Sequence, residues 1–172
     1  MKNIFIILMF MVAKVAYGQG SMFIYNYTNY NLYNTLVGSN QNANCIPSLS
    51  GTNYPTPVPA GSSVTYSGYY QSGVQNPPIM KWEMLVQNGS SVQNHVSPIL
   101  NTVPIKNNTS WQMNKFFVQD SNGNSVPFGG NSIGVINCNT PVIDYIGPTP
   151  GNPIPYEAFW FAVGNDTYFI IQ

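Results

Sequence analysis

Residues 156–172 read YEAFWFAV, then GNDT, then YFIIQ. Two runs of aromatic and β-branched residues flank a short cluster of turn formers, which is the pattern of an antiparallel hairpin. Side chains alternate across a strand, so Phe159, Phe161 and Val163 share one face and Ala158, Trp160 and Ala162 the other. Both faces are apolar, which places the hairpin inside a packed two-layer structure and away from a wet edge. The chain upstream must therefore supply partner strands.

It contains many. Residues 22–28 (MFIYNYT) and 32–37 (LYNTLV) read as a second hairpin across Asn29-Tyr30-Asn31, and 38–50 as an Asn-rich loop. Residues 54–60 (YPTPVPA) carry proline too densely for a ladder strand and read as an extended edge or polyproline-like connector. A strand follows at 63–70. Another, at 79–87, sets Met80, Trp82, Met84 and Val86 on one face, opposite Lys81 and Glu83, and closes at Asn88-Gly89. The polar stretch 90–108 offers one short strand around 96–100. Residues 111–120 and 124–128 form a third hairpin turning at Asn122-Gly123. Residues 133–138 and 142–146 add two short strands, and the proline-rich 147–155 connects to the final hairpin.

No amphipathic period of 3.6 survives the Gly and Pro punctuation after residue 18, so no helix is expected there. The sequence predicts an all-β chain, an antiparallel β-sandwich of about eight to ten short strands. No fixed-period repeat divides it. Residues 19–172 read as one domain, long enough at about 150 residues to bury a sizeable core.

Residues 1–18 read as a signal peptide. Lys2 supplies a positive start, residues 4–12 an apolar run too short to span a bilayer, and Ala16-Tyr17-Gly18 small residues before a cut at Gln19. No later stretch approaches the roughly 20 apolar residues of a transmembrane helix. The expected location is secreted and extracellular, or periplasmic in a bacterial source. Cys45 and Cys138 are then an even pair in an oxidising compartment and read as one structural disulfide. It would close a loop of about 90 residues, contributing about 4–5 kcal/mol in the chain-entropy model.

Charged residues make up 6 % of the chain, against about a quarter in an average globular protein. There is no arginine, and beyond the leader the cations are Lys81, Lys106 and Lys115. Nucleic-acid binding needs a cluster of phosphate contacts that these cannot provide. Asn, Tyr, Ser and Thr solvate the surface instead, making it hydrogen-bonding and insensitive to salt.

Catalytic inventory is thin. His95, the single histidine, sits in a polar stretch with no nucleophile motif, and no G-x-S-x-G occurs. Asp120-Ser121-Asn122-Gly123-Asn124 resembles the start of a calcium loop. It lacks glycine at the sixth place, which is Ser125, and an acid at the twelfth, which is Asn131, so a tight turn explains it better. No metal and no cofactor is expected. Glu83 with Glu157 or Asp144 could form a carboxylate pair for glycoside hydrolysis. Against that, acids on the outer face of a strand are commonplace.

The remaining signal is aromatic. The chain holds 12 tyrosines and 3 tryptophans among abundant amides, a supply of stacking faces beside hydrogen-bonding groups. Tyrosines at period two also serve simply as strand residues whose rings cover a core. The ligand-binding candidates are Tyr27, Tyr30, Tyr33, Tyr54, Tyr69 and Tyr70, which fall in or near loops and strand ends. Five N-x-S/T triplets start at Asn26, Asn88, Asn107, Asn108 and Asn165.

The expected function is a secreted, non-catalytic interaction protein that binds neutral glycans or takes part in an extracellular assembly, with carbohydrate or another extracellular protein as partner. A small glycoside hydrolase using a carboxylate pair is the alternative. A membrane-active or self-assembling β protein, pairing through its C-terminal strand, is the third.

Overall fold

In the computed structural model the described residues are 19–87, 90–135 and 142–172. The leader 1–18, the Asn88-Gly89 turn and Cys138 lie outside them. Twelve strands occur among the described residues: β1 (Met22–Asn26), β2 (Asn31–Ser39), β3 (Ser48–Thr52), β4 (Ser62–Tyr66), β5 (Lys81–Gln87), β6 (Ser90–His95), β7 (Ser110–Gln119), β8 (Ser125–Val135), β9 (Val142–Ile143), β10 (Tyr145–Ile146), β11 (Ala158–Val163) and β12 (Asp166–Ile171). They form a five-stranded sheet, β10-β11-β12-β1-β4, and a seven-stranded sheet, β6-β5-β3-β2-β7-β8-β9. One apolar core joins them, with Met22, Ile24 and Phe169 from the first sheet packed with Leu36, Leu49 and Trp82 from the second. The chain is all-β and sandwich-like, as its alternation predicts.

The C-terminal hairpin forms as expected, with Trp160 opposite Phe169 and Phe161 opposite Tyr168. Its surroundings differ from the expectation. Ala158 and Trp160 are buried, whereas Phe161 and Val163 are 42 % and 61 % exposed. The sheet buries one face and leaves an aromatic face in water, the ordinary economy of an antiparallel layer. The other correction concerns β12. It lies between β11 and β1, so its backbone is bonded on both sides. A strand in that position has no free edge to offer a neighbour, which removes pairing through the C-terminal strand. The β1–β12 pair is parallel, the one departure from antiparallel pairing among the strand pairs. A parallel pair needs a long crossover. Here the entire chain between β1 and β12 serves as one.

Residues 22–37 do not make a hairpin: β1 and β2 belong to different sheets. The side chain of Asn26 manages the crossing. Its amide nitrogen donates to the carbonyls of Tyr30, Val58 and Pro59 at 2.8, 3.0 and 3.0 Å, and its oxygen accepts from the Thr28 hydroxyl at 2.7 Å. Asn26 is wholly buried, so these bonds replace water for groups the crossing would otherwise strand. Residues 142–146 also divide between the sheets, as β9 and β10. In the 54–60 connector, Val58 makes one reciprocal backbone bridge with Leu32 (2.9 and 2.8 Å) and no longer ladder, as the prolines predict.

Other segments also diverge from the sequence reading. β3 lies within and beyond the expected Asn-rich loop as a central strand between β2 and β5. Its composition (SLSGT) hides it, yet Gly51 is required. The Trp82 ring lies so close that a Cβ there would come within 2.7 Å of it. The 96–100 segment is not a strand. Pro98–Asn101 is a 3-10 turn and Val103–Lys106 a single α-helical turn, each with proline at its start, where a missing N–H costs no hydrogen bond. The strand at 63–70 stops at Tyr66, and Gly68 then takes a φ of 144° that turns the chain.

Candidate functional site

A cleft of about 650 Å³ opens at one end of the molecule, where both sheets and the N-terminal segment meet. Gln19 and Gly20 form one wall, and residues 107–111 another. Gln41 and Asn42, from the loop after β2, and the β11–β12 hairpin from Trp160 to Thr167 close it. Backbone bonds tie these parts together. Ser21 N–H donates to the Asp166 carboxylate at 2.8 Å, Thr167 N–H to the Ser21 carbonyl at 2.9 Å, and Gln19 N–H to the Lys106 carbonyl at 2.7 Å. The Trp111 indole donates to the Gly20 carbonyl at 2.7 Å. Gly20 is there because the Asn165 carbonyl occupies the space a Cβ would need.

The lining is amide and aromatic. Gln19, Gln41, Asn42, Asn107, Asn108 and Asn165 contribute carboxamides, and Trp111, Trp160 and Phe161 rings. Among the described lining residues Asp144 is the one carboxylate and there is no lysine. Amides both donate and accept, so such walls suit a ligand dense in hydroxyls rather than an ion. Among the described residues the buried Gln19 side-chain nitrogen has no hydrogen-bond partner. A smaller cavity of about 280 Å³ adjoins the same residue, lined by Tyr70, Gln71, Asn101 and Lys106 among others.

The structure scatters the six candidate tyrosines. Tyr69 is 1 % exposed, its hydroxyl bonded to the Thr109 hydroxyl at 3.1 Å and its ring edge-on to Trp82 and Trp111. It is a core residue, and burial raises its phenol pKa above the ordinary value. Tyr30 packs against the core. Tyr33 stacks on Phe117 at 4.7 Å, and exposed Tyr54 leans on both rings at 5.7 and 6.4 Å. Exposed Tyr27 stacks on Tyr25, and Tyr70 faces the smaller cavity. None of the six lines the large cleft.

Outside the five-stranded sheet, Phe161, Tyr168 and Phe23 form a continuous stack across β11, β12 and β1. Centroids are 5.1 and 4.8 Å apart and planes within 8°, close to the ~4.8 Å between neighbouring strands. The stack occupies both faces of the Tyr168 ring and one face each of Phe161 and Phe23.

The acids separate. Glu83 stands exposed on β5 in the seven-stranded sheet. Trp160 N–H donates to the Asp144 carbonyl at 2.8 Å, which places Asp144 at the cleft. Glu157 precedes β11 at the five-stranded sheet, exchanging backbone bonds with Gln172, and accepts the Tyr145 hydroxyl at 3.0 Å, a bond that raises the Tyr145 pKa. Of the three, Asp144 alone lines a described cleft. His95 is paired by its backbone with Lys81 at the edge strand β6. Asp120 closes the β7–β8 turn, accepting Asn122 and Asn124 backbone N–H groups at 2.9 and 2.8 Å and the Asn124 amide at 3.0 Å. Among the described residues no cluster of three metal-ligating side chains occurs, and no helix is long and apolar enough to cross a membrane.

The N-x-S/T triplets also divide. Asn26 is closed off by its own hydrogen bonds, Asn107, Asn108 and Asn165 are exposed on the cleft, and Asn88 lies outside the described residues. Comparisons with protein-family models, curated proteins and solved structures find no match. The cleft residues were missed because they come from separated segments. The available signal was amides beside tryptophan, in Asn107-Asn108-Thr109-Ser110-Trp111.

Proposed function

We propose that this is an exported, non-catalytic interaction protein whose end cleft takes a neutral, hydroxyl-rich ligand such as a glycan. The supporting observation is the cleft lining, six carboxamides and three aromatic rings with one carboxylate. Amides satisfy hydroxyls in both senses, and the ring of Phe161, 42 % exposed, offers an apolar border. Calorimetry against neutral oligosaccharides chosen from a glycan array tests this at two salt concentrations. Asn108→Ala should weaken binding by about 0.5–1.5 kcal/mol, the net worth of one hydrogen bond. Affinity that collapses in modest salt contradicts a neutral contact. So does an unchanged affinity in a combined Asn108→Ala, Asn165→Ala and Phe161→Ala variant.

Two supporting parts of the reading have their own tests. Cleavage before Gln19 predicts that the exported chain begins there. Cys45, after β2, is proposed to pair with Cys138; thiol titration of the denatured, non-reduced protein should find no free thiol.

A further inference from the structure

We infer that β4 is an open pairing edge through which two copies of this chain join their five-stranded sheets, antiparallel and about a two-fold axis. The direction of its backbone groups follows from its neighbours. Thr167 N–H bonds the Ser21 carbonyl and Tyr27 N–H the Ile171 carbonyl. The odd-numbered residues of β1 therefore point their N–H and C=O at β12, and the even-numbered ones at β4. Met22, Ile24 and Asn26 face Tyr66, Val64 and Ser62. The backbone groups of Ser63 and Thr65 consequently point out of the sheet, and no bond to them occurs among the described residues.

This edge carries no lysine, no proline and no bulge. Lysine, proline or a bulge commonly blunts an exposed edge, but β4 reads SSVTY and pairs with β1 without a register shift. Charge is missing well beyond it: residues 19–80 contain no Lys, Arg, Asp, Glu or His, and the formal net charge of the chain is zero. Nothing long-range keeps two such edges apart.

The edge is also self-complementary, which points to a second copy as the occupant. Setting Val64 opposite its own symmetry mate brings Ser63 against Thr65 twice. Each pair exchanges both backbone bonds, so all four outward groups on each chain are satisfied. Ser63 and Thr65 lie beside Tyr25 and Phe23 on the outer face. The two aromatic faces thereby become one continuous surface across the joined sheets.

Sedimentation velocity of the exported chain over a wide concentration range tests the inference. The expected result is a monomer–dimer equilibrium that Thr65→Pro weakens by about tenfold or more. Proline at 65 removes only an outward N–H, leaving the β1 ladder intact. A Ser63→Lys/Thr65→Lys variant keeps every backbone group, sets like charges across the pairing and should also be monomeric, with dimer returning at high salt. It decides the matter if the proline variant does not fold. A wild-type chain that stays monomeric at every concentration overturns the inference, as does a dimer indifferent to the folded lysine variant. Ligand binding at the cleft plays no part in either outcome.

Discussion

Two aromatic trios show how differently the same residue types can act. Tyr69, Trp82 and Trp111 meet in the core, Tyr69 edge-on to the tryptophans at 62° and 70°. Phe161, Tyr168 and Phe23 meet on the outer face of a sheet with planes 5° and 8° apart. The geometry follows from what positions each ring. Across a sheet, register sets equivalent side chains side by side at the strand spacing, so rings align. In the core, a turn and two non-adjacent strands bring rings together at angles, so positive edges find negative faces. The inner trio therefore carries stability, and the outer one covers strands while leaving ring edges to solvent.

The largest test of this contrast is Trp82→Ala, which should cost about 3–5 kcal/mol because the site cannot collapse around so large a loss. Urea unfolding measures it, and a cost near that of an outer-face substitution would erase the distinction. Next comes alkaline pH. Burial raises the phenol pKa of Tyr66 and Tyr69 above the ordinary value of about 10 that they regain on unfolding. The folded state then holds protons that the unfolded state releases. Stability is complete below about pH 10 and falls above it by roughly 1.4 kcal/mol per pH unit for each tyrosine, until the folded pKa is reached. Tyr69→Phe should lower that slope by roughly 1.4 kcal/mol per pH unit in urea melts above about pH 10.

Smaller still, Tyr168→Ala should cost about 1 kcal/mol, since it breaks two cross-strand ring contacts on a half-exposed surface. A cost matching Trp82→Ala would mean that the outer face is as tightly packed as the core. The weakest effect belongs to Asp120, whose pKa is lowered chiefly by the Asn124 side-chain bond. Its contribution is present above about pH 4 and lost as pH falls through the lowered value. Asp120→Asn should alter only the acid limb of a stability profile, by much less than the tyrosines alter the alkaline limb.

Hairpins with turn signals between alternating runs were legible. The β11–β12 and β7–β8 hairpins form where Gly164-Asn165 and Asn122-Gly123 predict them. The β1–β2 hairpin was misread because Asn29-Tyr30-Asn31 looks like a hairpin loop. The rival explanation, an Asn26 side chain bonded to Tyr30, Val58 and Pro59, depends on residues about 32 positions away. β3 escaped notice because Gly51 and its serines resemble a loop unless the Trp82 ring is known to lie over them. The candidate site was hardly legible. Its rings and amides belong to four separate segments, and the tyrosines chosen by sequence divide among core, connector and outer face.

The amino-acid sequence by itself determined the class of this protein. Period-two alternation, dense Gly and Pro and the lack of any helical period leave little but short strands, and scarce charge leaves a neutral hydrogen-bonding surface. Those properties are local or compositional, so they survive without knowing the neighbours. Tertiary structure alone decided which face of each strand is dry, because alternation of two apolar faces carries no sign of which meets the other sheet. It also decided that the last strand lies inside its sheet beside the first, and that β4 is left at the rim. Edge and interior are properties of strand order, which hydrogen bonds between distant segments determine.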